Sequence, residues 1–214
     1  MTDLTQTTPP QEEGRSARKR RVIMEAATEL FLRNGYQGTS MDEVAALASV
    51  SKQTVYKHFT DKEQLFSAIV LGATDRVGDF TDAVTEFAGT ENLEEDLSEI
   101  ARRYITVVIQ PRTLQLRRLL IAEAGRFPAV ARDYYLRAPG RTMDALADTF
   151  QKLAGRGLLR IDDPHLAASQ FAWMILSQPM DKAMFFGDEQ QYTPADLQRF
   201  ADEGVRVFLA AYRI

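Results

Sequence analysis

The chain has 214 residues and no cysteine, so disulfides and cysteine-ligated metals are excluded. Its composition, 45% hydrophobic and 26% charged, is that of an ordinary globular protein, and no apolar run approaches the roughly 18 residues of a membrane span. The net charge of −4 argues against nucleic acid until its distribution is considered: residues 15–60 carry eight basic and four acidic side chains, a local +4 that leaves −8 for the remainder.

Residues 1–14 are polar, contain Pro9-Pro10 and have no periodicity, and they are expected to form a disordered tail. They hold no apolar h-region of a secretory signal, so a cytoplasmic location is expected. Helical period begins immediately afterwards. Val22/Ile23, Ala26/Ala27 and Leu30/Phe31 repeat every four residues along a first helix at 16–34, which Asn34-Gly35 should end. Arg15, Arg18, Lys19, Arg20 and Arg21 stand at its mouth. They are read as an arm, with Arg18 and Lys19 as DNA contacts; a solvated helix face is the alternative.

Start signals recur downstream. Ser40–Glu43 and Thr60–Glu63 have the spacing of capping boxes, and Asp163-Pro164 and Thr193-Pro194 each place a capping residue before a first-turn proline. Together with the apolar periodicity they predict about nine helices, at 16–34, 41–48, 52–58, 61–85, 92–109, 113–126, 128–155, 164–186 and 194–213. Pro139-Gly140 should kink or split the seventh and Pro179 the eighth. With no convincing strand pattern, the fold class is all-α. A three-helix head at 15–60 is expected, then a connecting helix at 61–85 and a helical body at 86–214.

The stretch Thr39–Phe59 reads as two short helices about a tight turn. Met41, Val44, Ala45 and Ala48 form one apolar face, Val55 and Phe59 another, and Val50 falls in the angle. This is the helix-turn-helix arrangement, whose second helix can enter a major groove. The outward residues of that helix, Lys52, Gln53, Thr54, Tyr56, Lys57 and His58, include no acid. Gln pairs with adenine, Lys with guanine, and Thr touches a thymine methyl; Tyr56 and Lys57 suit phosphate oxygens. Thr39, Ser40, Ser51 and Lys62 complete the expected DNA contacts, Ser40 and Lys62 because they open flanking helices whose free N–H groups favour phosphate.

The run NGYQGTSMDEVAALASVSKQTVYKHFTDKEQLF resembles the N-terminal signature of the tetracycline-repressor (TetR) family over roughly residues 18–68. Where the family often has Ala-Gly-Val in the turn, this chain has Ala48-Ser49-Val50, so a positive φ at residue 49 would carry modest strain. The segments Arg118–Pro128 and Gly155–Pro164 resemble one C-terminal subfamily, the AefR-like regulators. The resemblance implies a homodimer bound to a near-palindromic double-stranded operator and a body that takes a small effector.

The body sequence supports two of these implications. Phe171–Leu176 is six apolar residues in a row on a predicted helix, so one side of that helix needs a partner beyond the monomer core. In the last helix Phe200, Gly204, Val205, Phe208, Leu209 and Tyr212 are read as the dimer interface, on a helix that with 164–186 would make a four-helix junction. For the effector, Phe171, Trp173, Met174, Met184 and Phe185 offer an apolar lining, and Arg118 or Glu123 a polar anchor, for a small hydrophobic ligand. The alternative is that most of these are core or dimer contacts. No cofactor and no metal site is expected, because the two histidines are far apart. No Ser/His/Asp arrangement, phosphate loop or HExxH motif marks an enzyme. The competing function is a DNA-binding protein without a small effector, controlled by protein contacts or architectural.

Overall fold

Capping chemistry divides this chain into its elements. The computed structural model describes residues 14–75, 77–189 and 192–214, so the expected disordered tail lies almost wholly outside the described residues. Helix α1 (Arg15–Asn34) ends at Gly35, whose φ of 73° and ψ of 173° fall in a region open essentially only to glycine. Helix α2 (Met41–Leu47) starts on the predicted capping box: Ser40 Oγ accepts from the Glu43 N–H at 3.2 Å, and the Glu43 carboxylate accepts from the Ser40 N–H at 2.7 Å. Helix α3 (Lys52–His58) is capped by Ser51, which accepts from the Thr54 N–H at 3.1 Å.

The predicted box at Thr60–Glu63 is displaced by one residue. Asp61 caps α4 (Lys62–Gly72) by accepting from the Gln64 N–H at 2.7 Å, and Gln64, not Glu63, reaches back to the Thr60 N–H at 2.7 Å. The expected single helix at 61–85 is two helices, α4 and α5 (Val77–Glu86). At the break, Thr74 donates its hydroxyl to the Leu71 carbonyl at 2.7 Å, a local bond that competes with helix propagation next to Gly72.

Helices α6 (Leu93–Val108) and α7 (Pro111–Glu123) match their predicted segments within three residues. The segment at 128–155 divides at the proline as predicted, into α8 (Pro128–Tyr135) and α9 (Arg141–Gly155) joined by a π-helical turn, Leu136–Gly140. Pro139 lacks the N–H that an α-turn would use, and the wider turn accommodates its ring. Pro179 behaves differently: α10 (Pro164–Phe186) runs unbroken through it, and the proline is buried. Helix α11 (Pro194–Tyr212) opens on the predicted cap Thr193, which also forms a capping box with Asp196 that the sequence reading did not name. All nine predicted segments are therefore found, two of them divided in two. Among the described residues there is no strand, only an isolated bridge between Leu159 and Arg213.

Contacts cluster into two units that divide between Ala68 and Ile69, eight residues beyond the predicted end of the head. The shift has a packing cause. Leu65 and Phe66 of α4 are buried in the first unit, where Phe66 meets Phe31 and Tyr36 edge-on at 5.6 and 5.2 Å. In the second unit α9, α10, α11 and α6 pack successively around Phe150, Phe171 and Phe208, whose ring centroids lie 5.0–5.5 Å apart. Helices α10 and α11 approach closely at Gly204, where a Cβ would stand 2.7 Å from Ile175 Cγ1.

The same packing revises the expected dimer residues. Gly204, Val205, Phe208 and Leu209 face the core of their own chain, and Phe200 and Tyr212 pack against its edge. Phe208→Ala is therefore expected to destabilise the monomer fold by about 3–5 kcal/mol. Chemical denaturation of the variant and wild type measures this.

Candidate nucleic-acid interface

The reading helix is too short to be stable alone and is held by its inner face. Val55 and Phe59 are fully buried, opposite Val44, Ala45 and Met41 of α2 and Ile23, Ala27, Leu30 and Phe31 of α1, which are also buried. The Ser49 turn has φ 52°, the left-handed conformation that the departure from Ala-Gly-Val had put in question. Val50 beside it is half-buried.

With Val55 inward, helical geometry puts Gln53 and Lys57 diametrically outward and Tyr56 on their flank. Gln53, Tyr56 and Lys57 are all exposed, Tyr56 at 49%. Thr54 and His58 are half-buried. The Thr54 hydroxyl is 2.8 Å from that of Ser51, so both are partly occupied within the turn. Lys52 is exposed but its ammonium donates to Asp42 at 2.6 Å, a pair that DNA phosphate must displace if Lys52 is to serve as a contact. On α1, Arg18 and Lys19 are exposed. Arg20 lies over the Phe59 ring at 5.0 Å, and Arg21 pairs with Glu25 at 2.9 Å.

Three of the expected contacts have structural occupations. Thr39 is buried and donates its hydroxyl to the Gly35 carbonyl at 2.9 Å. Ser40 is committed to its capping box, which holds the Glu43 carboxyl below the usual carboxylate range, chiefly through the Ser40 side-chain hydrogen bond. The Lys62 ammonium donates to the carbonyls of Tyr36 and Thr39, at 2.8 Å each, and lies 4.4 Å from the Tyr36 ring centroid. It thus ties the start of α4 to the loop between α1 and α2. A positive charge at a helix start gave no sequence signal separating a phosphate contact from this clamp.

The seven residues read as an effector lining do not converge. Phe171 is a core residue. Trp173, Met174 and Phe185 are exposed, Phe185 at 86%, and Met184 is half-buried. Arg118 donates to the Ala183 carbonyl at 2.8 Å, joining α7 to α10. Glu123 is half-buried, and its carbonyl accepts from the Arg126 and Phe127 N–H groups. An open depression of about 290 Å³ lined by Arg160, Asp162, Asp163, Leu166, Ala211 and Tyr212 includes none of the seven. Among the described residues no group of three or more His, Asp or Glu side chains could hold a metal ion. None of their helices is long and apolar enough to cross a membrane.

Two short helices at a tight turn, the second exposing a basic, acid-free face, define a helix-turn-helix DNA-binding protein. Residues 23–69 match the model for bacterial regulatory proteins of the tetR family, and residues 95–214 that for the C-terminal domain of AefR-like transcriptional repressors. The chain belongs to the TetR family of transcriptional regulators, which are not enzymes. It is 46% identical to a TetR-family transcriptional regulator from Mesorhizobium loti MAFF303099, whose crystal structure it matches with a TM-score of 0.85 over 94% of this chain and 100% of that one. The structure of the flavonoid-responsive regulator FrrA is 30% identical, with a TM-score of 0.73 over 92% of this chain and 97% of the other. Among curated relatives, the regulator YhgD of Bacillus subtilis is 49% identical over 51 residues, 24% of this chain and 27% of the relative. The regulator AcrR of Shigella flexneri is 30% identical over 104 residues, 49% and 46% respectively. The chain thus spans about a quarter to a half of these two curated relatives.

Salt titration of DNA binding separates the two lysines. Lys57→Ala is expected to weaken binding to all sequences and lower the salt-dependence slope by about 0.9 per lost phosphate contact. Lys62→Met is expected to lower the melting temperature of the protein and leave that slope unchanged, because its partners are carbonyls of its own chain.

Proposed function

We propose that the protein is a homodimeric, cytoplasmic repressor that binds a near-palindromic operator through paired α3 helices and is released by a small hydrophobic effector. The exposed, acid-free face of Gln53, Tyr56 and Lys57 carries the DNA part of this reading. Gln53 and Thr54 are assigned to bases; Lys52, Tyr56, Lys57, Arg18 and Lys19 to phosphates. The description of the C-terminal family as repressors supports repression, and a neighbour named as flavonoid-responsive supports control by a small molecule.

Dimerisation rests on α10. Its residues Phe171, Ile175 and Leu176 are buried, yet Leu166, Trp173 and Met174 are exposed on the other side, Trp173 at 51%. From Leu166 to Gln178 that outer side carries no charge. Val207 of the neighbouring α11 is likewise exposed. Large apolar side chains without a charged neighbour fit the buried centre of a two-fold interface, with Trp173 as its anchor. These four residues replace Val205, Phe208 and Leu209 as the residues to test.

Trp173→Glu is expected to convert the dimer to a monomer in sedimentation analysis and to reduce affinity for a palindromic operator far more than for a single half-site. A wild-type monomer that binds the palindrome tightly would overturn the assembly. For effector control, linkage requires operator DNA to weaken effector binding by the factor by which the effector weakens operator binding. Calorimetry with and without operator reads that factor. Equal affinity for every ligand that binds the body supports instead a regulator governed by protein contacts.

A further inference from the structure

Residues 35–60 contain two acids, Asp42 and Glu43, side by side in the first turn of α2. They are put to different uses. Glu43 turns back on its own helix and closes the Ser40 cap. Asp42 reaches across to α3, where its carboxylate accepts from the Lys52 ammonium at 2.6 Å. Both side chains of this pair are exposed, so it is open to a phosphate.

Lys52 opens α3. It takes the first helical position after the Ser51 cap, where the helix already presents free N–H groups and partial positive charge, and the first turn of α3 contains no acid. Asp42 supplies from α2 the negative charge that this helix start lacks. The start of a reading helix is also the part that meets the groove. The other lysine of α3, Lys57, forms no ion pair among the described residues. The two lysines therefore meet DNA from different states: Lys57 as an uncompensated cation, Lys52 as half of a neutral pair. A phosphate gains Lys52 only when Asp42 loses it, and Asp42 is then a bare carboxylate beside a polyanion.

We propose that Asp42 is a positioning residue that attenuates DNA binding by competing with phosphate for Lys52. This rests on α3 as the reading helix and on Lys52 as one of its phosphate contacts, and it makes that contact conditional. The competition acts on operator and unrelated DNA alike, because phosphates carry no sequence information. Asp42 thus sets how tightly the head holds any duplex, while Gln53 sets which duplex it prefers. An exposed ion pair is worth little, so the attenuation is about 2- to 5-fold per head.

The test measures the affinity of the full chain by fluorescence anisotropy over a range of KCl concentrations. The probes are a duplex selected by the wild type from random sequence and a scrambled duplex of equal length. Asp42→Asn is expected to tighten binding to both duplexes about 2- to 5-fold per head. It is expected to steepen the salt dependence by up to about 0.9 per head, because Lys52 then neutralises a phosphate with no carboxylate bared in exchange. Asp42→Glu, which keeps the charge, is expected to give less than half of that gain. Asp42→Ser, which also suits a first helical turn, repeats the measurement should the amide disturb the fold.

The gain is expected to depend on Lys52. In a Lys52→Met background, Asp42→Asn is expected to give less than half of it. This double-mutant cycle separates competition for Lys52 from direct repulsion between Asp42 and phosphate, which does not need Lys52. A gain of which half or more survives Lys52→Met would overturn the inference, as would neutral variants of Asp42 that bind no tighter than wild type. Lys57→Ala and Gln53→Ala on the same duplexes tell two failures apart. If the first weakens binding and the second relaxes base preference while Asp42→Asn gives no gain, the reading helix stands and the attenuation fails. If neither has its effect, α3 is not the reading helix and the inference falls with it.

Discussion

The head depends on one constraint: a seven-residue helix cannot hold itself together in water. Nucleation costs more than seven residues of backbone hydrogen bonding return, so α3 exists because Val55 and Phe59 are buried against α1 and α2. That burial fixes the rotation of the helix about its axis. Gln53 and Lys57 must then point outward, and no other pair on α3 can take their place. The proposed DNA contacts are these outward residues, and the inward residues determine which those are.

The surrounding bonds serve the same end. The Ser40–Glu43 box fixes where α2 begins, the left-handed Ser49 turn fixes the angle to α3, and the Lys62 clamp fixes the loop behind them. A lysine used in this way contributes through placement, because its charge is spent on two carbonyls and an aromatic face. Charge near DNA and contact with DNA are therefore separate properties. Lys52 illustrates this from the other side: it is on the exposed face, yet Asp42 holds it at 2.6 Å.

In the body the organising fact is a helix with two apolar sides. One side of α10 meets Phe150 and Phe208 through Phe171; the other leaves Trp173 and Leu166 in solvent. A monomer core has room for one side only. The remaining side is exposed in the single chain, and the proposed dimer rests on it.

The helices, their caps and the helix-turn-helix were legible in the sequence because they are local. A capping box needs residues three apart, and an amphipathic stripe needs residues three and four apart, so the signal lies within one short window. Even the divided helix at Pro139 follows from a single ring. The division of 61–85 was not legible, because the apolar periodicity runs on both sides of the break and one threonine hydroxyl bonding back to the Leu71 carbonyl leaves no mark on it. Across helices the sequence gives faces but not partners. Phe208 and Trp173 are both large apolar residues on amphipathic helices, and nothing local distinguishes the one that fills the core from the one left outside. Arg117 and Arg118 differ by one position, which on a helix is a rotation of about 100°, and that rotation decides which meets the Ala183 carbonyl and which the Met180 thioether. The sequence by itself determined an all-α chain with a DNA-reading head; the tertiary structure alone decided which surfaces of the body remain unpartnered, because partner choice depends on residues far apart in the chain.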